Sequence, residues 1–218
     1  MTKQQVSQKE IFKFGWSKTR QHAWFVVLAG LITLIASGAV SSLPVINVIV
    51  SVFVGVAITS ISLLVVRDHH FDFSSLFTPL LSYKRVLKFA VMHAFYSLPV
   101  IIGIVPFMLG VTMQHRPLAI VGALLLIPLF YFIVRFTFYP FVAVENENMS
   151  IANLIETSFK VTKGYFGSIV LFIVLAILLN ILGAIFFGVG IFITIPVTLF
   201  ACAHLYTKIA GHHEAHVA

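Results

Sequence analysis

The chain has 218 residues, of which 60% are hydrophobic and only 10% are charged, and its formal net charge is +7. Because a soluble domain carries about 25% charged residues, this composition excludes an ordinary soluble protein. The single cysteine, Cys202, excludes a disulfide framework. The positive charge does not indicate nucleic acid as a partner, since membrane topology explains the basic residues better.

Long apolar stretches predict the membrane spans. Residues 21–66 and 164–207 contain no Asp, Glu, Lys or Arg, and each is long enough for two helices of roughly 20 residues. Residues 89–134 carry one charge, Arg116, and supply two more spans. We therefore predict an all-α polytopic membrane protein, a single integral membrane domain over residues 1–218. Its six spans are 23–42, 46–66, 89–112, 117–139, 166–184 and 187–207, with tight turns at Pro44, 115–117 and 188–190.

The basic residues predict the orientation of these spans. Twelve of the 14 lysines and arginines lie at the termini or in the two longer connections, whereas Arg116 stands alone on the opposite side. Positive residues favour the cytoplasmic face of a membrane. We therefore expect the N-terminus, the C-terminus and both longer connections to be cytoplasmic.

A short aromatic and basic segment precedes each predicted hairpin, at residues 11–25, 76–89 and 151–166. The third divides cleanly into an apolar and a charged helical face, and Ser150 is its expected N-cap. Such helices lie in the membrane interface with their lysines toward anionic head groups. The pattern predicts three hairpins, each preceded by a cytoplasmic interfacial amphipathic helix, in repeats covering 7–66, 73–144 and 150–210. The alternative is that any cytoplasmic approach to a span is basic and aromatic, without a repeat.

Two polar residues in or beside the spans are candidates for a structural role. Arg135 precedes Glu145 by about ten residues, or roughly 15 Å along a helix. It could snorkel to the interface, form a salt bridge with Glu145 or Glu156, or bind a substrate anion. Asn180 lies in the middle of the fifth span near Gly183, where an interhelical hydrogen bond is expected more often than a pore lining.

The interfacial segments supply the predicted contacts with lipid or partner. Anionic head groups, or a protein docked on the same face, are expected to meet Lys84, Arg85, Lys88, Lys160 and Lys163.

No chemical motif indicates catalysis. Nucleophile-elbow and glycine-rich phosphate motifs are absent from the sequence. The histidine clusters at 68–72 and 212–216 lack an established metal-site spacing, so a solvated loop and tail are favoured over a metal site. We expect no cofactor and no enzymatic activity.

Residues 124–128, 135–141, 158–164 and 194–196 resemble the YciC-like family of uncharacterised bacterial integral membrane proteins. This group is related to the membrane domain of glycerophosphoryl diester phosphodiesterases, and the resemblance covers roughly residues 117–210. It implies a six-span protein of the bacterial inner membrane without known catalysis. In the phosphodiesterase relatives the hydrolase is a separate soluble barrel, which this chain lacks. The family often has Pro-Gly where this chain has Pro128 and Leu129.

Together these features favour a non-enzymatic membrane protein that organises lipids or protein partners at the cytoplasmic face, as a scaffold or accessory subunit. The expected partners are anionic membrane lipids and a membrane protein or a second copy of the chain, and not nucleic acid. The alternative is a channel or transporter for a small or lipophilic solute, with Arg135 and Asn180 lining the path. The lack of paired carboxylates in the spans counts against a proton- or cation-coupled transporter.

Overall fold

The structure is a computed structural model that describes residues 7–24, 30, 38, 44–69, 74, 77–185 and 190–214. Of these residues 87% are helical, and none of them forms a β-strand. A short 3-10 helix spans Thr78–Leu81. The α-helices are α1 (Gln8–Gln21), α2 (Pro44–Val66), α3 (Tyr83–Thr112), α4 (Arg116–Arg135), α5 (Tyr139–Glu145), α6 (Ile151–Val161), α7 (Phe166–Ile185) and α8 (Ile191–Glu214).

Five helices of the described residues are long and apolar enough to cross a membrane. They are Ile46–Val66, Tyr83–Thr112, Arg116–Glu145, Phe166–Ile185 and Ile191–Gly211. These positions correspond to the second to sixth predicted spans and are compatible with a multi-pass membrane protein. Most of the first predicted span, 23–42, lies outside the described residues.

The α3–α4 pair shows how the sequence makes a tight hairpin. Gln114 adopts a left-handed conformation with φ 55°, and the His115 side chain accepts a hydrogen bond from the Leu118 amide at the start of α4. The two helices can approach closely because Gly110 faces the backbone of Ala119, where a Cβ would collide. Small residues at such contacts are typical of helices that pack within membranes.

The first predicted interfacial helix packs on protein. In α1, Ile11 and Gly15 are buried, and a Cβ at Gly15 would come within 3.0 Å of the Ala201 Cβ on α8. The Phe14 and His204 rings stack with centroids 3.9 Å apart. The apolar side of α1, expected to face the membrane, is therefore covered by α8.

The second predicted interfacial segment, 76–89, does not form a helix of its own. Among its described residues a 3-10 turn precedes α3, and Ser82 caps α3 by accepting a hydrogen bond from the Arg85 amide at 3.4 Å. No helix breaker follows until Pro99, so the helix that starts at Tyr83 runs directly into the span. The second predicted interfacial segment therefore differs from the third, which forms α6. There Ser150 caps the helix as predicted, because its side chain accepts a hydrogen bond from the Asn153 amide at 3.3 Å.

The packed core lies at one end of the long helices, which we call the basic end and which carries Arg67, Lys88 and Lys208. Short α5 is almost completely buried there, with Val142 and Ala143 at 0% exposure. The opposite half of the α3–α4 pair exposes large apolar side chains, which a bilayer would cover: Ile101, Ile102, Met108, Leu124 and Ile127.

Candidate functional site

A cavity of about 660 Å³ opens at the basic end, between the end of α2, the start of α3 and the end of α5. We call it the basic-end cavity. Leu63, Leu64, Pro79 and Val144 form much of its apolar wall. Its polar and charged lining includes Arg67, His69, Thr78, Arg85, Glu145 and Asn146.

The end of α2 brings Arg67 into this cavity. Asp68 adopts a left-handed conformation with φ 56°, and the His69 amide donates to the Leu64 carbonyl at 3.0 Å, which ends the helix. Arg67 forms an ion pair with Glu145, the last residue of α5. Because the Arg67 side chain is still 48% exposed, the ion pair leaves much of it open to an incoming group.

The start of α3 places Arg85 in the lining of the same cavity. Its Nη2 donates to Glu147 Oε2 at 3.0 Å, and the Ser82 hydroxyl donates to Glu147 Oε1 at 2.5 Å. The hydrogen bond from Ser82 is the main cause that lowers the pKa of the Glu147 carboxyl below its usual value, and the positive charge of Arg85 acts in the same direction. Glu147 is therefore held as a carboxylate that fixes the position of Arg85.

Lys88 connects α3 to the loop after α5. Its ammonium group donates to the main-chain carbonyls of Glu147 and Met149, at 2.5 and 2.6 Å. Lys88 and Arg85 were both predicted to contact lipid head groups. In the structure Arg85 contacts the Glu147 carboxylate, and among the described residues Lys88 contacts main-chain oxygens.

A third ion pair connects α1 to the end of α2. Lys18, whose side chain is only 11% exposed, binds Asp68, which is largely exposed. The hydrogen bond from Lys18 lowers the pKa of the Asp68 carboxyl. Burial, together with the charge of Lys18, lowers the pKa of nearby His22. The ion pair attaches the N-terminal helix to the end of α2, in addition to its packing on α8.

Of the three alternatives for Arg135, the salt bridge with Glu145 or Glu156 does not form. Glu145 pairs with Arg67, and Glu156 pairs with Lys160 at 2.7 Å. Within the described residues Arg135 makes no ion pair, and its guanidinium carbon lies 5.8 Å from the centre of the Phe159 ring. The last turn of α4 thus contacts α6 through a cation–π interaction.

Asn180 makes the predicted interhelical hydrogen bond. Its side-chain nitrogen donates to the Ala176 carbonyl at 2.8 Å and to the Thr198 hydroxyl of α8 at a longer 3.4 Å. One turn further along α7, Gly183 lies so close to Thr194 that a Cβ would collide with it. Asn180 therefore belongs to a tightly packed contact between α7 and α8.

The other predicted cations lie on the surface of the basic end. Lys84 and Lys163 are exposed, and Lys160 remains 66% exposed while paired with Glu156. These three side chains can reach head groups or a partner.

The histidine clusters are only partly described. His70, Asp72 and His216 lie outside the described residues. Among the residues that the structure describes, no three His, Cys, Asp or Glu side chains group together as metal ligands would.

Sequence reasoning missed four residues of this region: Arg67, Ser82, Glu147 and Tyr206. The available signal was that Arg67 directly follows an apolar run, as a charged residue at the edge of a span does. Nothing in the spacing pairs it with Glu145, because 78 residues separate the two.

No family model, no curated protein and no solved structure matches this chain. The resemblance to the YciC-like family therefore remains a prediction.

Proposed function

We propose that this chain is a non-enzymatic, multi-pass protein of the bacterial cytoplasmic membrane, with both termini in the cytoplasm. Its role is to organise anionic lipids or a protein partner at the basic end, as a scaffold or accessory subunit. The observation that carries the proposal is that α6 is fixed against the protein core while its lysines project outward.

The packing of α6 supports a rigid presentation of charge. Leu154 and Ser158 are fully buried, so one face of the helix is held by the core. At its C-terminal end the Thr162 hydroxyl donates to the Arg135 carbonyl at 2.9 Å. Exposed Lys160 and Lys163 therefore have fixed positions relative to the spans. A cation held near an anionic leaflet contributes about 1 kcal/mol of binding.

The alternative of a channel or transporter has less support among the described residues. Arg135, one of its two predicted path residues, stacks on Phe159 at the end of α4. Asn180, the other, is bonded within the α7–α8 contact. Both side chains are used to join helices.

Native mass spectrometry with phosphatidylglycerol tests the proposal. Replacing both Lys160 and Lys163 with glutamine should reduce the lipid retained by the purified protein. The matched control replaces Lys9 and Lys13, two exposed lysines of α1, and removes the same charge. Equal retention in wild type and the α6 variant would contradict the proposal. Equal loss in both double variants would assign lipid retention to net charge rather than to α6.

A further inference from the structure

We infer that the basic-end cavity binds a phosphate group, carried either by an anionic phospholipid or by a soluble phosphate ester. This inference deepens the proposed function and rests on it, because it names the ligand and the place where it is held. The observation behind it is that two arginines, one at the end of α2 and one at the start of α3, line the same cavity. Neutral polar side chains, Thr78 and Asn146, line it with them.

The two arginines have donors to spare. Arg67 uses Nη2 for Glu145, and Arg85 uses Nη2 for Glu147. A guanidinium carries five N–H donors in a planar fork that matches the oxygens of a phosphate. Each arginine can therefore keep its carboxylate and still bind a second anion.

The carboxylates hold both arginines in place before any ligand arrives. Glu145 also accepts a hydrogen bond from the Tyr206 hydroxyl at 2.5 Å, and Glu147 accepts one from Ser82 at 2.5 Å. Side chains that are already ordered lose less conformational entropy on binding. The arginines are thus preorganised in the lining of the cavity.

The charges in the lining favour an anion. Two guanidinium groups, Arg67 and Arg85, face one carboxylate, Glu145, whereas Glu147 does not line the cavity. His69 and Thr78 add polar groups that can bond phosphate oxygens.

The size of the cavity indicates that the phosphate carries a substituent. A volume of about 660 Å³ lies in the range of small-molecule sites, about 300–1,000 Å³. It is many times the roughly 30 Å³ that a water molecule occupies in the liquid. Leu63, Leu64 and Val144 provide an apolar wall for the glycerol and first carbons of an ester.

Binding of phosphatidylglycerol to delipidated protein in a neutral detergent tests the inference, with native mass spectrometry as the readout. Arg67→Gln and Arg85→Gln should each weaken binding about ten-fold or more, as expected when a charge-assisted contact is lost. Arg116→Gln is the matched control. This exposed arginine is the first residue of α4 and does not line the cavity. Similar affinities of all three variants would overturn the inference.

Two further variants separate loss of the site from loss of the fold. Glu147→Gln removes the partner of Arg85 but keeps the arginine, so binding of phosphatidylglycerol should weaken less than in Arg85→Gln. Arg85→Lys keeps the charge but not the fork, and its affinity should fall between those of wild type and Arg85→Gln. Loss of binding in Glu147→Gln as severe as in Arg85→Gln would assign the effect to the loop after α5 and contradict the inference.

Competition experiments distinguish the two sources of the phosphate. If glycerol 3-phosphate displaces phosphatidylglycerol from the wild type but not from Arg85→Gln, soluble esters also occupy the cavity. If it does not displace the lipid, the site takes the phosphate only from a phospholipid.

The variants of α6 keep this inference separate from the proposed function. Lipid loss in the Lys160 and Lys163 variant with none in the cavity variants would refute the cavity site alone, whereas full retention in every variant would refute both.

Discussion

The hydroxyl of Tyr206 donates a hydrogen bond to Glu145 Oε2 across 2.5 Å and so joins α8 to the end of α5. The other oxygen of the same carboxylate binds Arg67 at the end of α2. One side chain, itself only 20% exposed, thus connects three helices that are far apart in sequence. Hydrogen bonds to a charged group are stronger than those between neutral groups, so Glu145 is expected to stabilise the basic end.

Glu145→Gln should therefore lower the free energy of unfolding by about 1–3 kcal/mol, because the charge that both neighbours bind is lost. Glu156→Gln is the control, since its pair with Lys160 is exposed and within one helix, where such pairs contribute about 0.3–0.5 kcal/mol. Denaturant unfolding in detergent would measure both. Equal destabilisation by the two changes would contradict the role given to Glu145.

Gly15→Ala should loosen the attachment of α1. An added Cβ would collide with the Val197 carbonyl on α8, a backbone atom that cannot move aside alone. We expect a loss of about 1–3 kcal/mol, as for overpacked contacts. At Gly167 in α7 no atom lies within 4 Å of an added Cβ, so Gly167→Ala should be neutral or stabilise by up to about 1 kcal/mol. Limited proteolysis of the N-terminal segment would detect release of α1 in the first variant only.

Acid should weaken the anchoring of the loop after α5. The pKa of Glu147 is lowered in the folded protein, chiefly by the hydrogen bond from Ser82. A carboxyl with a lowered folded pKa stabilises the fold fully above its ordinary pKa, and this contribution is lost as the pH falls through the folded value. At pH 7 the amides of residues 146–150 should be more protected from hydrogen exchange in the wild type than in the Glu147→Gln variant. This difference in protection should shrink when the pH falls below the ordinary pKa of glutamate. A difference that is constant with pH would contradict this assignment.

The sequence predicted the positions of the apolar helices well because hydropathy and length decide them locally. The predicted span 46–66 lies within α2, and 166–184 lies within α7. The alternatives for Arg135 could not be decided from the sequence because ion pairing depends on which helix ends meet in space. Arg67 competes for Glu145 from a distant part of the chain, and a sequence distance along one helix cannot show that.

The placement of α1 shows the same limit. Its amphipathic pattern is equally compatible with a membrane interface and with a protein groove. The feature that distinguishes them is Gly15, which permits close contact with α8. Its significance is visible only once α8 lies beside it. The basic-end cavity likewise forms from residues of α2, α3 and α5 whose meeting no local pattern predicts.

Arg135 should be coupled to Phe159 and not to a carboxylate. Because its guanidinium lies over that ring, a double-mutant cycle of Arg135→Met and Phe159→Leu should give a coupling of about 0.5–1 kcal/mol. Arg135→Met alone should cost far less than the roughly 3–5 kcal/mol of a broken buried ion pair. Thermal unfolding of the four proteins in detergent measures the cycle. A coupling near zero together with a loss of several kcal/mol in the single variant would point to a different partner.

The orientation of the protein is tested by reporter fusions along the chain. Twelve basic residues lie at the termini and in the two longer connections, and Arg116 alone lies opposite. Since positive residues are retained in the cytoplasm, fusions after residues 75, 148 and 218 should report a cytoplasmic position. Fusions after residues 44, 115 and 187 should report the outside. An external position after residue 218 would contradict both the six-span topology and the cytoplasmic placement of the basic end. The control changes Arg116 to Gln, which strengthens the asymmetry and should leave every reporter unchanged.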